Sequence, residues 1–240
     1  MLIDHEAEPP LLSAHGLRCG YGGKPVLQGV DLEVRAGEIV AVIGRNGVGK
    51  STLIKALMGL LPADAGSIRL RGAEINGVAA HRRARLGIGY VPQGRDVFPR
   101  LSVEENLRVG ACIGGGPADY EAAFRNFPIL RERRRQAAGT MSGGQQQQLA
   151  IGRVLVGRPA LMLLDEPSEG IQPSVVQDIA RIGVALNRRD GLTIVLVEQN
   201  IDMIRAMAQR CYVMDKGRIV AALTPDMLDD RDTVRRYLAV

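Results

Sequence analysis

The sequence predicts an α/β protein with a mostly parallel sheet and helices on both faces. Three observations carry that reading. Short apolar runs recur at 38–43, 88–91, 160–165 and 192–197, and they have the length of buried strands. Helical periodicity lies between them, as where Val175, Ile179, Ile182 and Leu186 fall on one face at offsets of 4, 7 and 11. The run 38–43 also feeds a glycine-rich turn and then a helix, a strand–turn–helix unit typical of parallel sheets.

In chain order, 11–19 and 25–34 read as strands, the second carrying alternating Val26, Val30, Leu32 and Val34. Gly20-Tyr21-Gly22-Gly23 between them reads as a turn. A helix over 53–58 follows the glycine-rich turn, and Leu61-Pro62-Ala63-Asp64-Ala65-Gly66 breaks the chain. Next come a short strand at 67–70, a basic helix at 79–86 and a strand at 88–91 stopped by Pro92. From Gln93 to Val156 strand signals vanish, and Ser102 with Glu105 forms a capping box at a helix start. The stretch 93–156 therefore reads as an all-helical insert in an α/β core of 1–92 and 157–240. A strand over 160–165, a helix over 174–188 and a strand over 192–197 resume that core. A hairpin turning at Lys216-Gly217 and a polar helix close the chain.

The 240 residues are 46% hydrophobic and 24% charged, ordinary for a globular protein able to bury a sizeable core. No apolar run reaches the length of a membrane span, and the acidic stretch 1–8 lacks the pattern of a secretion signal. The expectation is a cytosolic chain that meets a membrane only through a partner. Cys19, Cys112 and Cys211 are far apart and odd in number, so buried free thiols are expected. His5, His15 and His81 form no cluster, and no zinc site is expected. The net charge of +5 concentrates in 81–85 and 131–135. With 3% aromatic residues and no Trp to stack on bases, these read as solvated helix faces with no nucleic-acid partner.

The chemistry starts at Gly44-Arg45-Asn46-Gly47-Val48-Gly49-Lys50-Ser51-Thr52. Between strand and helix, this spacing is a phosphate-binding loop. Its glycines let successive N–H groups curl around a phosphate, and the helix N-terminus adds partial positive charge. Lys50 reaches the β/γ-phosphates, and Ser51 offers a hydroxyl to Mg2+. A nucleoside triphosphate is the expected ligand. Downstream, Leu161-Met162-Leu163-Leu164-Asp165-Glu166 delivers two carboxylates at a strand's C-terminal end, where α/β sheets place ligands. Asp165 suits Mg2+, and Glu166 suits orientation or deprotonation of an attacking water. Met141-Ser142-Gly143-Gly144-Gln145 opens a further helix, a second exposed set of N–H donors that a lone phosphate loop does not need.

The order of these pieces resembles the ATP-binding subunits of ABC transporters across residues 11–225. Within that family, the phosphate loop, Val91-Pro92-Gln93-Gly94-Arg95 and Phe98-Pro99 resemble the branched-chain amino-acid and urea/amide branch. The stretch 163–174 is most similar to its urea-transporter member. The resemblance implies a P-loop NTPase fold of one domain, with an antiparallel β-subdomain and a helical subdomain. It implies that Tyr21 stacks on adenine, that the loop 44–52 with Lys50 holds phosphates, and that Ser51, Gln93 and Asp165 hold Mg2+. Glu166 would act on water. Ser142, Gly143, Gly144 and Gln145 would meet ATP bound to a second ATP-binding subunit, a related chain or another copy. Gln199 stands where the family usually has a switch histidine; its amide donates a hydrogen bond but gains no charge. The implied activity is ATP hydrolysis driving a transmembrane permease, fed by an extracytoplasmic solute-binding protein, from the cytoplasmic face. Phe98, Pro99 and Leu101 offer an apolar seat for the permease. The expected solute is urea or a short amide, with branched-chain amino acids as the alternative. More distant alternatives are a non-transport ABC ATPase acting on ribosomes or DNA, a metabolite kinase, and a regulatory module without catalysis.

Overall fold

A computed structural model describes residues 9–112, 117–230 and 235. Two sheets frame the chain. The larger has six strands in the order β10-β9-β3-β8-β7-β6: β3 (Ile39–Ile43), β6 (Ile88–Val91), β7 (Leu161–Asp165), β8 (Thr193–Val197), β9 (Arg210–Asp215) and β10 (Arg218–Leu223). Its pairings are parallel except for the β9–β10 hairpin at the edge. The smaller is antiparallel, in the order β2-β1-β4-β5, from β1 (Leu12–Tyr21), β2 (Lys24–Val34), β4 (Ala65–Leu70) and β5 (Ala73–Glu74).

The central strands are apolar throughout because both faces are covered. Val40, Val42, Leu161, Leu163, Val195 and Val197 turn toward α1 (Lys50–Met58) and the antiparallel sheet. The intervening Met162, Leu164, Ile194 and Leu196 pack on the opposite side, in the cluster that includes α6 (Gly143–Leu155) and α7 (Pro173–Asp190). On α7 the most buried apolar side chains are Val176, Ile179, Ala180 and Leu186, while Val175 and Ile182 sit at the edge of the packed stripe. Between β6 and β7 lie α3 (Val103–Ala111), α4 (Tyr120–Asn126), α5 (Pro128–Glu132) and α6. Ser102 and Glu105 make the expected reciprocal capping box. Beyond β8 comes α8 (Ile201–Met207). No helix among the described residues is long and apolar enough to cross a membrane.

Several local expectations need correction. Tyr21 closes strand β1, paired with Lys24, because the turn is only Gly22-Gly23. The helix after the phosphate loop starts at Lys50, three residues before 53, since Gly49 already serves as its N-cap. Cys112 is exposed, whereas Cys19 and Cys211 are buried, and burial pushes both of those thiols up to about 11. The expected acidic start at 1–8 lies outside the described residues, as does the closing polar helix except Thr224–Asp230 and Arg235. The described part holds a 3₁₀ turn, Pro225–Asp229.

The largest correction concerns the basic cluster on α2 (Ala80–Arg85). Its neighbours are solvated, and the 131–135 cluster is exposed throughout, but Arg83 is 2% exposed. Its guanidinium donates to Val78 O at 2.8 Å, Ala56 O at 2.9 Å and Leu57 O at 2.7 Å. It also donates to Ile75 O at 2.6 Å and Asn76 O at 2.9 Å. Each of its five N–H donors has a partner, which is what allows the charge to be buried without a carboxylate. Two of the carbonyls end α1, where the helix dipole favours a cation. Replacing Arg83 by Met should destabilise the fold by on the order of 3 kcal/mol, because buried carbonyls lose their donors. Urea or thermal unfolding of the two proteins checks this; equal stability would overturn it.

Candidate functional site

Strand β3 delivers the chain into the loop 44–49, and α1 carries it away. Gly44 sits at φ 151°, and a Cβ there would lie 2.3 Å from the carbonyl oxygen of Met214, so no larger residue fits. Lys50, 4% exposed, folds back over the loop. Its Nζ donates to Gly44 O and Arg45 O, both at 2.9 Å, and lies 3.8 Å from Glu166 Oε1. Burial lowers the Lys50 pKa, while Glu166, Asp165 and Glu198 pull it back up.

The acids come from the C-terminal ends of neighbouring strands. Asp165 ends β7 at 1% exposure and accepts from Ser51 Oγ at 3.0 Å. Burial raises its pKa, opposed by that hydrogen bond and by Lys55 and Lys50. Glu166 follows with φ 48°, a left-handed backbone that costs a non-glycine residue about 1–3 kcal/mol. The turn is held because its N–H donates to Val197 O at 2.8 Å. It aims the carboxylate at two amides. Gln199 Nε2 donates to Glu166 Oε1 at 3.0 Å and to Asn46 Oδ1 at 2.6 Å. Gln93 Nε2 donates to Glu166 Oε2 at 3.2 Å and to Glu169 Oε2 at 3.0 Å. One polar ring thus links the ends of β3, β6, β7 and β8.

Around it lies a cleft of about 370 Å³, lined by Val26, Asn46, Gly47, Gly49, Lys50, Ser51, Thr52, Gln93 and Glu166. The structure therefore brings together most of the residues expected to hold phosphate and cation. Tyr21 does not line this cleft and is 48% exposed at the end of β1. Ser142, Gly143, Gly144 and Gln145 are not part of it either. They open α6, where Ser142 Oγ accepts from Gln145 N at 3.4 Å and Gln145 Oε1 accepts from Ser142 N at 3.1 Å. The two glycines have a packing reason as well. A Cβ on Gly143 would lie 3.0 Å from Arg95 Nη1, and one on Gly144 would lie 3.0 Å from Val175 Cγ1.

Three residues at the site were not singled out by motif spacing. Glu169 shares the Gln93 amide with Glu166. Arg95 donates to the carbonyls of Glu169 and Gly170, both at 3.1 Å, fixing the loop after Glu166. Glu198 is 3% exposed and accepts backbone N–H groups from both loops that flank the ring. Its only sequence signal is a carboxylate directly after an apolar strand, the feature that singled out Asp165. A roomier hollow of about 520 Å³ lies elsewhere, between the core and α3 and α6, lined by Phe98, Val109, Arg153 and neighbours. Of Phe98, Pro99 and Leu101, only Phe98 faces it.

A family model described as ABC transporter matches residues 27–169. Among curated proteins, the high-affinity branched-chain amino acid transport ATP-binding protein BraG of Pseudomonas aeruginosa is 47% identical over 214 residues, covering 88% of this chain and 91% of the relative. The lipopolysaccharide export system ATP-binding protein LptB of Escherichia coli is 36% identical over 233 residues, covering 95% and 96%. Among solved structures, the ADP conformation of an ATP-binding cassette of an ABC transporter is similar with a TM-score of 0.81 at 28% identity, covering 94% of this chain and 97% of that one.

Glu166→Gln keeps the side chain's size but removes the carboxylate expected to act on water. Phosphate release should fall by roughly 100-fold or more while nucleotide binding persists. A phosphate-release assay beside a binding titration reads both; unchanged turnover would remove Glu166 from the chemistry.

Proposed function

Because the chain belongs to the ABC transporter family, we propose that it is the ATP-hydrolysing subunit of an importer of branched-chain amino acids. The observation that carries the solute class is the 47% identity to a branched-chain amino acid transport subunit, against 36% to a lipopolysaccharide export subunit. The comparisons favour this over urea or short amides, which the sequence puts first. They also favour a transport role over action on ribosomes or DNA, since both relatives are transport proteins by name.

Lys50 and the loop 44–52 hold the phosphates of ATP. The ammonium groups of Lys50 and Lys55 act on the acids here, chiefly Glu166 and Asp165, and a triphosphate adds further negative charge. A hard divalent cation fits that imbalance and the oxygen donors at hand. Asp165 and the Ser51 hydroxyl would hold Mg2+ together with the amide oxygen of Gln93, whose nitrogen is engaged by two glutamates. When bound, the ion neutralises charge on the β- and γ-phosphates. Glu166 accepts only two amide hydrogens, so its carboxylate keeps acceptor capacity for a water proton. Gln199 steadies Glu166 and offers its amide to the γ-phosphate. Tyr21 supplies a flat ring for adenine from the rim.

The α6 start does not line this chain's own cleft. We assign Ser142, Gly143, Gly144 and Gln145 to the cleft of a second ATP-binding subunit, a related chain or another copy, which returns the same service. The chain is one nucleotide-binding domain whose helical subdomain, 93–156, moves against a core of 1–92 and 157–240. The hollow beside Phe98 seats a permease segment, which holds the chain at the cytoplasmic face of the membrane. Arg153 favours this reading: its Nη1 is buried without a partner, and its guanidinium lies 5.2 Å from the Phe98 ring centroid. An acceptor from the permease would satisfy it. A solute-binding protein completes the importer on the other side.

Cells lacking this chain should lose ATP-driven uptake of leucine, isoleucine and valine and keep uptake of urea. Complementation with Phe98→Asp should restore ATP binding but not co-purification with a permease, since Phe98 does not line the cleft. Loss of urea uptake alone would overturn the solute class, and normal assembly of the Phe98 variant would overturn the seat.

A further inference from the structure

We infer that Glu198 is a positioning residue for hydrolysis, one that fixes Gln199 against Glu166 and ties the loop after Glu166 to both. The inference rests on the ATPase reading above.

Glu198 directly follows β8, and its N–H reaches Val42 O at 3.4 Å, extending that strand's contact with β3. The side chain is thereby anchored beneath the cleft, at 3% exposure. Its Oε1 accepts from the backbone N–H of Gln199 at 2.7 Å and of Asn200 at 3.0 Å. Its Oε2 accepts from the backbone N–H of Ser168 at 3.1 Å. The two oxygens thus grip two different loops. Ser168 is two residues beyond Glu166, and Gln199 is the residue whose amide donates to Glu166 at 3.0 Å. A closed ring results: Glu166, Pro167, Ser168, the Glu198 carboxylate, Gln199, and back to Glu166.

Helix capping does not account for this carboxylate. Asn200 already caps α8, its side chain accepting from Met203 N. Nor does a lysine or arginine form an ion pair with it among the described residues; Lys50 lies against Glu166 instead. Burying a charge is expensive, and a carboxylate is the side chain whose two oxygens can accept from three donors in two loops at once. A neutral amide has one acceptor oxygen. Its nitrogen would face an N–H with another N–H and push one loop away. Glu198 does not line the nucleotide cleft, so the loss should fall on turnover rather than on ATP capture.

The test uses the full chain with MgATP, following phosphate release against ATP concentration, with a fluorescent ATP analogue for affinity. In Glu198→Gln, kcat should fall about 10-fold or more, while KM and analogue affinity stay within about twofold. Glu198→Asp keeps both oxygens one methylene short and should recover part of the rate. Placed in a Gln199→Ala background, Glu198→Gln should cost less than about twofold further, because both act through one alignment. Losses that multiply, a fall in affinity parallel to kcat, or unchanged turnover would each overturn the inference. If Glu198→Gln does not fold, Glu198→Asp is judged by the same kcat-against-KM split. A wild-type chain that binds ATP without releasing phosphate would defeat the ATPase reading and this inference together. Phosphate release that the variants leave untouched would defeat this inference alone.

Discussion

The buried ammonium of Lys50 is the constraint on which the rest of the site depends. A lysine charge withdrawn from water costs several kcal/mol unless partners surround it, and two backbone carbonyls are not sufficient compensation. Most of the remaining compensation comes from Glu166 and Asp165, carried at the end of β7, which is separated from β3 by β8. That placement requires the strand order β3-β8-β7, in parallel, with all C-terminal ends at one edge. The sheet topology and the charge balance are two descriptions of the same requirement. Glu166 is the one carboxylate among the residues lining the cleft, with Asp165 held just behind it by Ser51.

Much of this is readable from residues in order. Strands buried on both faces must be apolar at every position, so the central sheet declares itself in runs such as Leu161-Met162-Leu163-Leu164. The phosphate loop declares itself through three glycines at positive φ, of which Gly44 also leaves no room for a Cβ against the Met214 carbonyl. What stays hidden is long-range pairing of polar groups. Arg83 sits in a run that has every appearance of a solvated face, and only the arrival of carbonyls from 56, 57, 75, 76 and 78 makes its burial possible. Glu198 is hidden for the same reason, since Ser168 is 30 residues away in sequence. Cys112 misleads in the other direction: cysteine is commonly buried, and nothing adjacent in the chain signals that this one is exposed. Tyr21 lies in strand rather than turn, yet at a rim a planar ring is accessible.

The solute class and the catalytic machinery are legible on different grounds. The cleft chemistry follows from geometry and would be the same for any solute, because the transported molecule has no reason to touch it. The proposed branch rests on similarity over 214 residues, at 47% identity, rather than on the likeness of the short stretch 163–174 to a urea system. If the proposed permease seat is right, the hollow beside Phe98 and Arg153 would set the choice of partner, since the Arg153 nitrogen without a partner among the described residues discriminates between segments by what they place opposite it.

Arg83 also has a mechanical meaning. Its five bonds gather the end of α1, the loop after β5 and helix α2 around one planar group. A joint of that kind resists both shear and rotation, since any relative displacement stretches several bonds at once. The phosphate-gripping helix and the edge of the antiparallel sheet therefore behave as a riveted plate. On the other side of the cleft, Gln93 and Arg95 reach the loop after Glu166 through side-chain hydrogen bonds, one contact at a time rather than five around one group.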